Sequence, residues 1–283
     1  MQIAYGTYAM PAYPLEEAAP MLADIGYDGV EICVSPAHPS SLPEEMDRTR
    51  RIQLRELLVD LHLGIPALFV TGHLLAESAA EHVRMQDHVK RCAELARQLG
   101  TPEPPVIAVG IGGRSADWQQ LQDTIIDHLG AYATLGREEG CIIAAEAHFG
   151  AAVDRSERAL HVIEAVNSPT LRLHFDIVHF YLSGEDEADA VEHLLPITAH
   201  THITDARRHA DGSFDLLLLG QGELDSTKYV KAMAEGGWDD FITLEVSKRL
   251  WAQQGYDAVE AARISYTSLA QAFDAAGVGP PTP

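Results

Sequence analysis

The sequence predicts a closed (β/α)8 barrel, one undivided α/β unit, on three observations. Eight short apolar runs alternate with stretches of helical period. No low-complexity linker or shift of composition divides the 283 residues, a length that one barrel of about 250 residues and a tail accommodates. Ionisable side chains gather at the C-terminal ends of the apolar runs, the end at which such a barrel presents its chemistry. The barrel is expected over residues 1–278 and a tail over 279–283. An open doubly wound sheet is the alternative, but no GxGxxG turn follows the first run.

Residues 2–8 form the first strand, and LEEAAPMLADIG places Leu15, Ala18, Ala19 and Leu22 at helical spacing before Gly26 ends the helix. GVEICV is the second strand. Pro43 opens the second helix, with Glu44 and Glu45 complementing its dipole, and the helix runs on through RIQLRELLVDLHLG. IPALFVTGH, PPVIAVG and CIIAAEAH are strands three to five, separated by helices over Glu81–Leu99 and Asp117–Glu139, the latter closed by Gly140. GIGGR at 110–114 is a loop after strand four. Asp154 caps a helix running to Val166, and SPT turns the chain into LRLHFDIV, the sixth strand. A short acidic helix over Glu187–Leu194 leads to ITAHTHIT, the seventh strand. FITLEV is the eighth, and a helix over Tyr256–Ala275 closes the chain.

Hydrophobic residues make up 46% of the chain, enough for a large core, and 42 acids against 20 Lys and Arg give a formal charge of -22. A surface that negative repels phosphate backbones, which sets general nucleic-acid binding aside. No apolar run approaches the roughly 20 residues that span a bilayer, so no membrane association is expected. The opening MQIAYGTYAM carries no secretory pattern. Cys33, Cys92 and Cys141 lack CxxC spacing, which suits free buried thiols in a reducing compartment, and the expected location is cytoplasmic.

Leu171 to Arg208 carries the densest chemistry. His174 with Asp176, and His200 with His202, stand at alternate positions, so on a strand each pair shares a face. By strand, the ends present Glu31, His73, Gly110, Glu146 with His148, Asp176 with His179, His202 with Asp205, and Glu245. Glu146, Asp176, His202 and Glu245 fall at equivalent ends of four successive strands. Burying three carboxylates together without a cation costs several kcal/mol per charge, and a metal ion offsets that cost. One imidazole among oxygens suits Mn2+ first, with Mg2+, Co2+ or Zn2+ as alternatives. His148 lies on the same side as Glu146 and serves as a further acid or base, or as a hydrogen-bonding group for substrate. His73 lines the site or supports it from a loop. Glu31 binds substrate or pairs with a cation such as Arg51. Arg207 is a solvated charge. Lys248 is a surface charge, with a phosphate or carboxylate contact as its alternative.

The Glu ending strand five, LHFDIVHFYLSGED, HTHITDARR and TLEVS together resemble the xylose-isomerase-like sugar phosphate isomerase/epimerase superfamily of metal-dependent TIM barrels, over nearly the whole chain. The resemblance implies that Glu146, Asp176, His202 and Glu245 hold the metal. It implies that His179 and Arg208 bind substrate oxygens, Arg208 having the family spacing of six residues past His202. GQGELD resembles the family's turn before the seventh helix, with Asp225 as the cap.

Metal bound to a carbonyl and its neighbouring hydroxyl acidifies the adjacent C-H and stabilises an enediolate. By the resemblance, Glu146 and Glu245 would shuttle the proton between faces or carbons. The first expectation is therefore an isomerase or epimerase of a sugar-like α-hydroxycarbonyl, a small carbohydrate substrate. Expulsion of a β-oxygen gives the alternative, a lyase or dehydratase acting on a keto-sugar, inosose or 3-keto-glycoside, with His148 serving the leaving oxygen. A non-catalytic binding subunit is the second alternative. Ala152 stands where tagatose-type 3-epimerases carry a second glutamate, six residues after the first metal ligand, which argues against a free ketohexose. Gly110 stands where the endonuclease IV branch has a histidine. Homo-oligomers are ordinary in the family, and a partner subunit would fit the acidic loop SGEDEADAVEHL.

Overall fold

The computed structural model describes residues 1–39 and 41–279. Its barrel strands are β1 (Gln2–Gly6), β2 (Gly29–Val34), β3 (Leu68–His73), β4 (Val106–Gly110), β5 (Ile142–Glu146), β6 (Leu171–Asp176), β7 (Thr198–Ile203) and β10 (Phe241–Leu244). They pair in chain order, all parallel, and β10 closes the barrel against β1. β8 (Asp205–Arg208) and β9 (Phe214–Leu217) form a separate antiparallel hairpin inserted after β7. The chain is thus a single (β/α)8 barrel. Of the expected tail, residues 280–283 lie outside the described residues.

Helices cover the outside. α1 (Leu15–Ile25) buries Leu15, Ala18, Ala19 and Leu22, the stripe that the sequence spacing marks. α2 (Arg48–Asp60), α3 (Ala79–Leu99), α4 (Trp118–Glu139) and α5 (Ser156–Val166) follow their strands in turn. Two helices, α6 (Ile177–Leu182) and α7 (Glu187–Leu194), follow β6. α8 (Ser226–Glu235), α9 (Lys248–Trp251) and α10 (Ala258–Ala276) complete the shell. Fully buried Leu54, Leu68 and Phe175 belong to its core, and each such side chain stabilises the fold by about 1.5–3 kcal/mol. Cys33, Cys92 and Cys141 are buried and free. Among the described residues no helix is long and apolar enough to cross a membrane.

Local chemistry moves several boundaries. Pro43 does not open α2: Pro43–Glu45 is a separate turn of 3-10 helix, and α2 restarts after Asp47, whose side chain accepts from Arg50 N. Asp154 does not cap α5, because arginines occupy its carboxylate: Arg155 and Arg158 each approach Oδ1 to 3.0 Å, and Arg155 lies 3.5 Å from Oδ2. Glu185 takes the capping role across space and accepts from Ser156 N at 2.9 Å. The sixth strand stops at Asp176, whose side chain accepts from Val178 N and so starts α6. Asp225 caps α8 through Lys228 N.

Candidate metal centre

Strand register builds the site in two tiers inside the barrel. Glu146 on β5 is level with His174 on β6, which is level with His200 on β7; two residues further on, Asp176 is level with His202. Alternation then aims all of these side chains inward. Glu245, just past β10, is tied to the same end by its backbone N-H, which donates to Ile203 O.

Glu146, Asp176 and His202 are buried and offer ligand atoms that all lie within 4.8 Å of one another. Glu245 Oε2 is 3.7 Å from His202 Nδ1, and its side chain is 13% exposed. Asp176 Oδ2 and His202 Nδ1 are buried without a hydrogen-bond partner. Burial pushes Asp176 up to about 6, helped by Glu245 and opposed by His179. Burial also works against charge on His202, yet Glu31 and Glu245 outweigh it and lift the imidazole well above its ordinary range. Ligand atoms converging from three strands, two of them without a hydrogen-bond partner, with an acid that resists ionising alone, are what a divalent cation would satisfy. The residues present fit such an ion.

A supporting tier lies beneath. Glu31, fully buried on β2, accepts at Oε2 from His200 Nε2 at 2.6 Å and His202 Nε2 at 2.8 Å. Burial pushes Glu31 upward, but the two imidazoles more than reverse it and hold the carboxyl at about 2. Gly6 makes room for it: a Cβ there would sit 2.8 Å from Glu31 Oε1. The expected Glu31–Arg51 pairing does not form, since Arg51 instead donates to Met46 O and Gln98 Oε1 on the outside of the barrel. A charged residue inside the wholly buried strand GVEICV was the sequence signal for this support. His174 is buried with neither ring nitrogen hydrogen-bonded; burial, then His202 and His200, push it well below the ordinary range.

A cavity of about 590 Å3 opens over Glu146, Asp176 and Glu245. His179 Nε2 lies 3.4 Å from Asp176 and 3.7 Å from Glu146. Burial and the neighbouring His148 push His179 down to about 4. His148 lies past the end of β5, exposed at the mouth, its ring 3.7 Å from that of His179. His73, at the end of β3, is exposed in the cavity lining. Arg208 is not brought to the cavity: it is exposed, with its guanidinium 4.4 Å from the Tyr181 ring. Asp205 also stays outside, buried and accepting four backbone N-H groups of its own loop. The sequence did not point to Phe214 and Leu216, which the β8–β9 hairpin adds to the lining.

The family model for xylose isomerase-like TIM barrels matches residues 20–267. Inosose dehydratase of Bacillus thuringiensis (strain Al Hakam) is 29% identical over 92 residues, 32% of this chain and 30% of the length of that curated relative. Among solved structures, an IolI protein with a bound zinc atom is similar at a TM-score of 0.80 and 19% identity, covering 96% of this chain and 98% of that one. AsbF from Bacillus anthracis, a probable 3-DHS dehydratase, gives 0.77 at 19% identity over 95% and 98%. An L-ribulose 3-epimerase gives 0.75 at 18% identity over 98% and 95%. At these identities the structural likeness establishes the fold, and function has to be argued from the site.

Proposed function

We propose, for a chain that belongs to the family of xylose isomerase-like TIM barrels, that it isomerises or epimerises a sugar-like α-hydroxycarbonyl with the help of one divalent metal ion. The observation that carries this is the convergence of ligand atoms of Glu146, Asp176 and His202 to within 4.8 Å of one another, with Asp176 Oδ2 and His202 Nδ1 buried without a hydrogen-bond partner. Glu146, Asp176, His202 and Glu245 would hold the ion, Mn2+ by preference for a mostly oxygen set. When bound, it would polarise a carbonyl and a neighbouring hydroxyl and so acidify the C-H between them.

The protein's own groups would do the rest. Glu146 and Glu245 each present a carboxylate to the cavity, one to take a proton from carbon and the other to return it. His179 reaches the same space and would hold a substrate oxygen. His73 and His148 would contact substrate nearer the mouth. Arg208 could join them only if its side chain left the Tyr181 ring. Glu31 would keep His202 turned with Nδ1 toward the ion, as buried carboxylates do behind metal-bound histidines.

β-Elimination is the second reading, and His148 favours it. An exposed imidazole whose ring centre lies 3.7 Å from that of His179 would protonate a leaving oxygen, and the partial likeness to inosose dehydratases supports the same chemistry. The test is incubation of Mn2+-loaded protein in D2O with ketoses, inososes and 3-keto-glycosides. Deuterium gained beside the carbonyl without loss of water or aglycone is the expected result; loss of either makes the enzyme a lyase. Glu146→Gln and Glu245→Gln should each slow exchange by about a hundredfold or more. Variants that bind metal and exchange like the parent would refute the proposal.

A further inference from the structure

The cavity wall is divided by charge. Its acids are Glu146, Asp176 and Glu245, all in the candidate metal set, and its Lys and Arg residues are Lys248 and Arg249. These two follow Glu245 by three and four residues, in the exposed turn of α9. In a chain of charge -22, a cation readily finds a carboxylate. Neither does: among the described residues, Lys248 and Arg249 have no acidic partner within 4 Å, and their side-chain N-H groups make no hydrogen bond. Each lies instead near an aromatic ring, Lys248 5.7 Å from Trp251 and Arg249 4.7 Å from Phe214. Trp251 meets Tyr8 edge-on, and Phe214 meets Phe149 edge-on. Tyr8, Phe149 and Phe214 line the same cavity as the two cations.

A ring face engages a cation without consuming its hydrogen-bond donors, so a stacked guanidinium keeps its edge N-H groups free for an oxyanion. Glu245, Lys248 and Arg249 line the same cavity of about 590 Å3, so one substrate bound there meets the carboxylate and the cation pair together. Long-range repulsion from the acidic surface works against an anionic ligand, and two cations at the mouth offset it locally.

We infer that Lys248 and Arg249 form an anion subsite, and that the substrate carries a carboxylate or phosphate group at the end remote from its α-hydroxycarbonyl. The inference rests on the metal-centre reading above for the other end of the substrate. Arg249 stacks on a residue of the β8–β9 hairpin, so the hairpin is part of the subsite.

Calorimetric titration of Mn2+-loaded protein with D-fructose, D-fructose 6-phosphate and D-fructuronate tests it, because these ligands share an α-hydroxyketone and differ at the sixth carbon. At low salt at least one anion should bind about tenfold more tightly than D-fructose, the scale of one charge-assisted hydrogen bond. The stronger of the two identifies phosphate or carboxylate. The K248A/R249A variant should bring both to within about twofold of D-fructose, and each single variant should fall between. Equal affinity for all three ligands, or an anion preference that survives the double variant, overturns the subsite. Anions that bind equally well without metal and lose binding in the double variant uphold the subsite while refuting the metal-centre reading. No binding by any of the three overturns both.

Discussion

His202 is held from both edges of its ring: Nε2-H donates to Glu31 at 2.8 Å, and Nδ1 stands 3.7 Å from Glu245. The first contact decides which nitrogen is left for a metal ion. Glu31→Gln removes the charge and sets two imidazole N-H groups competing for one amide oxygen. Metal affinity should fall by about 10- to 100-fold, the usual cost of losing a carboxylate behind a metal-bound histidine. Competition with a chelator of known affinity measures this, and a change under about twofold would show that Glu31 does not orient His202. The convergence of Glu146, Asp176 and His202 was legible because alternate polar residues on a strand must share a face and because acids placed together inside a barrel call for a cation. Glu31's partners were not, since His200 and His202 lie on a strand far away in sequence, and only barrel closure brings β2 and β7 to one interior. For Arg208, spacing sets a residue's place along the chain, whereas the Tyr181 ring beside it is where its flexible side chain rests.

At the scale of elements, one carboxylate organises the connection after β7. Asp205 accepts from the backbone N-H groups of Ala206, Gly220, Gly222 and Leu224 at 2.8–3.1 Å, which ties the start of the hairpin to the turn before α8. A Cβ at Gly222 would collide with that carboxylate. Asp205→Asn keeps the shape but turns an NH2 group toward backbone donors. It should lower the unfolding free energy by about 2–3 kcal/mol, measured as a lower urea midpoint; an unchanged midpoint would show that the turn holds without it. The helices were read from apolar spacing with near-correct ends, as α1 and α7 illustrate. The hairpin was not read, although Asp211-Gly212 is a hairpin turn signal. Its strands have only four residues each, and Phe214 and Leu216 are only half-buried, packing on the edge of the core where they also line the site. Capping failed where tertiary contacts competed, since Asp154 is taken by two arginines and Glu185 arrives from another segment.

For the whole molecule, the barrel's work is to bring acids from separate strands into one space, where burial keeps Asp176 from ionising freely, so metal binding, proton release and stability are linked. Burial holds the Asp176 carboxyl at about 6 in the metal-free protein, while the carboxylates around His202 keep its imidazole protonated well above the usual range. A metal ion takes the deprotonated form of both. Near pH 5.5 Asp176 is largely protonated, and binding should release close to two protons. Well above pH 6 Asp176 is already ionised, and the proton displaced is chiefly that of His202. Log affinity should then climb with pH at close to two per unit below about 6 and close to one per unit above it. Calorimetry in buffers of different ionisation enthalpy counts the protons directly. Because the ion binds the folded state, Mn2+ at a hundred times its dissociation constant should stabilise the protein by about 2.7 kcal/mol, raising the melting temperature by about 5 °C for a chain of this size. At fixed Mn2+ that rise should grow from pH 5.5 to 7.5 and vanish in the Asp176→Asn/His202→Ala variant. A rise that is independent of pH, or that survives in this variant, would place the ion somewhere other than the end of β6 and β7.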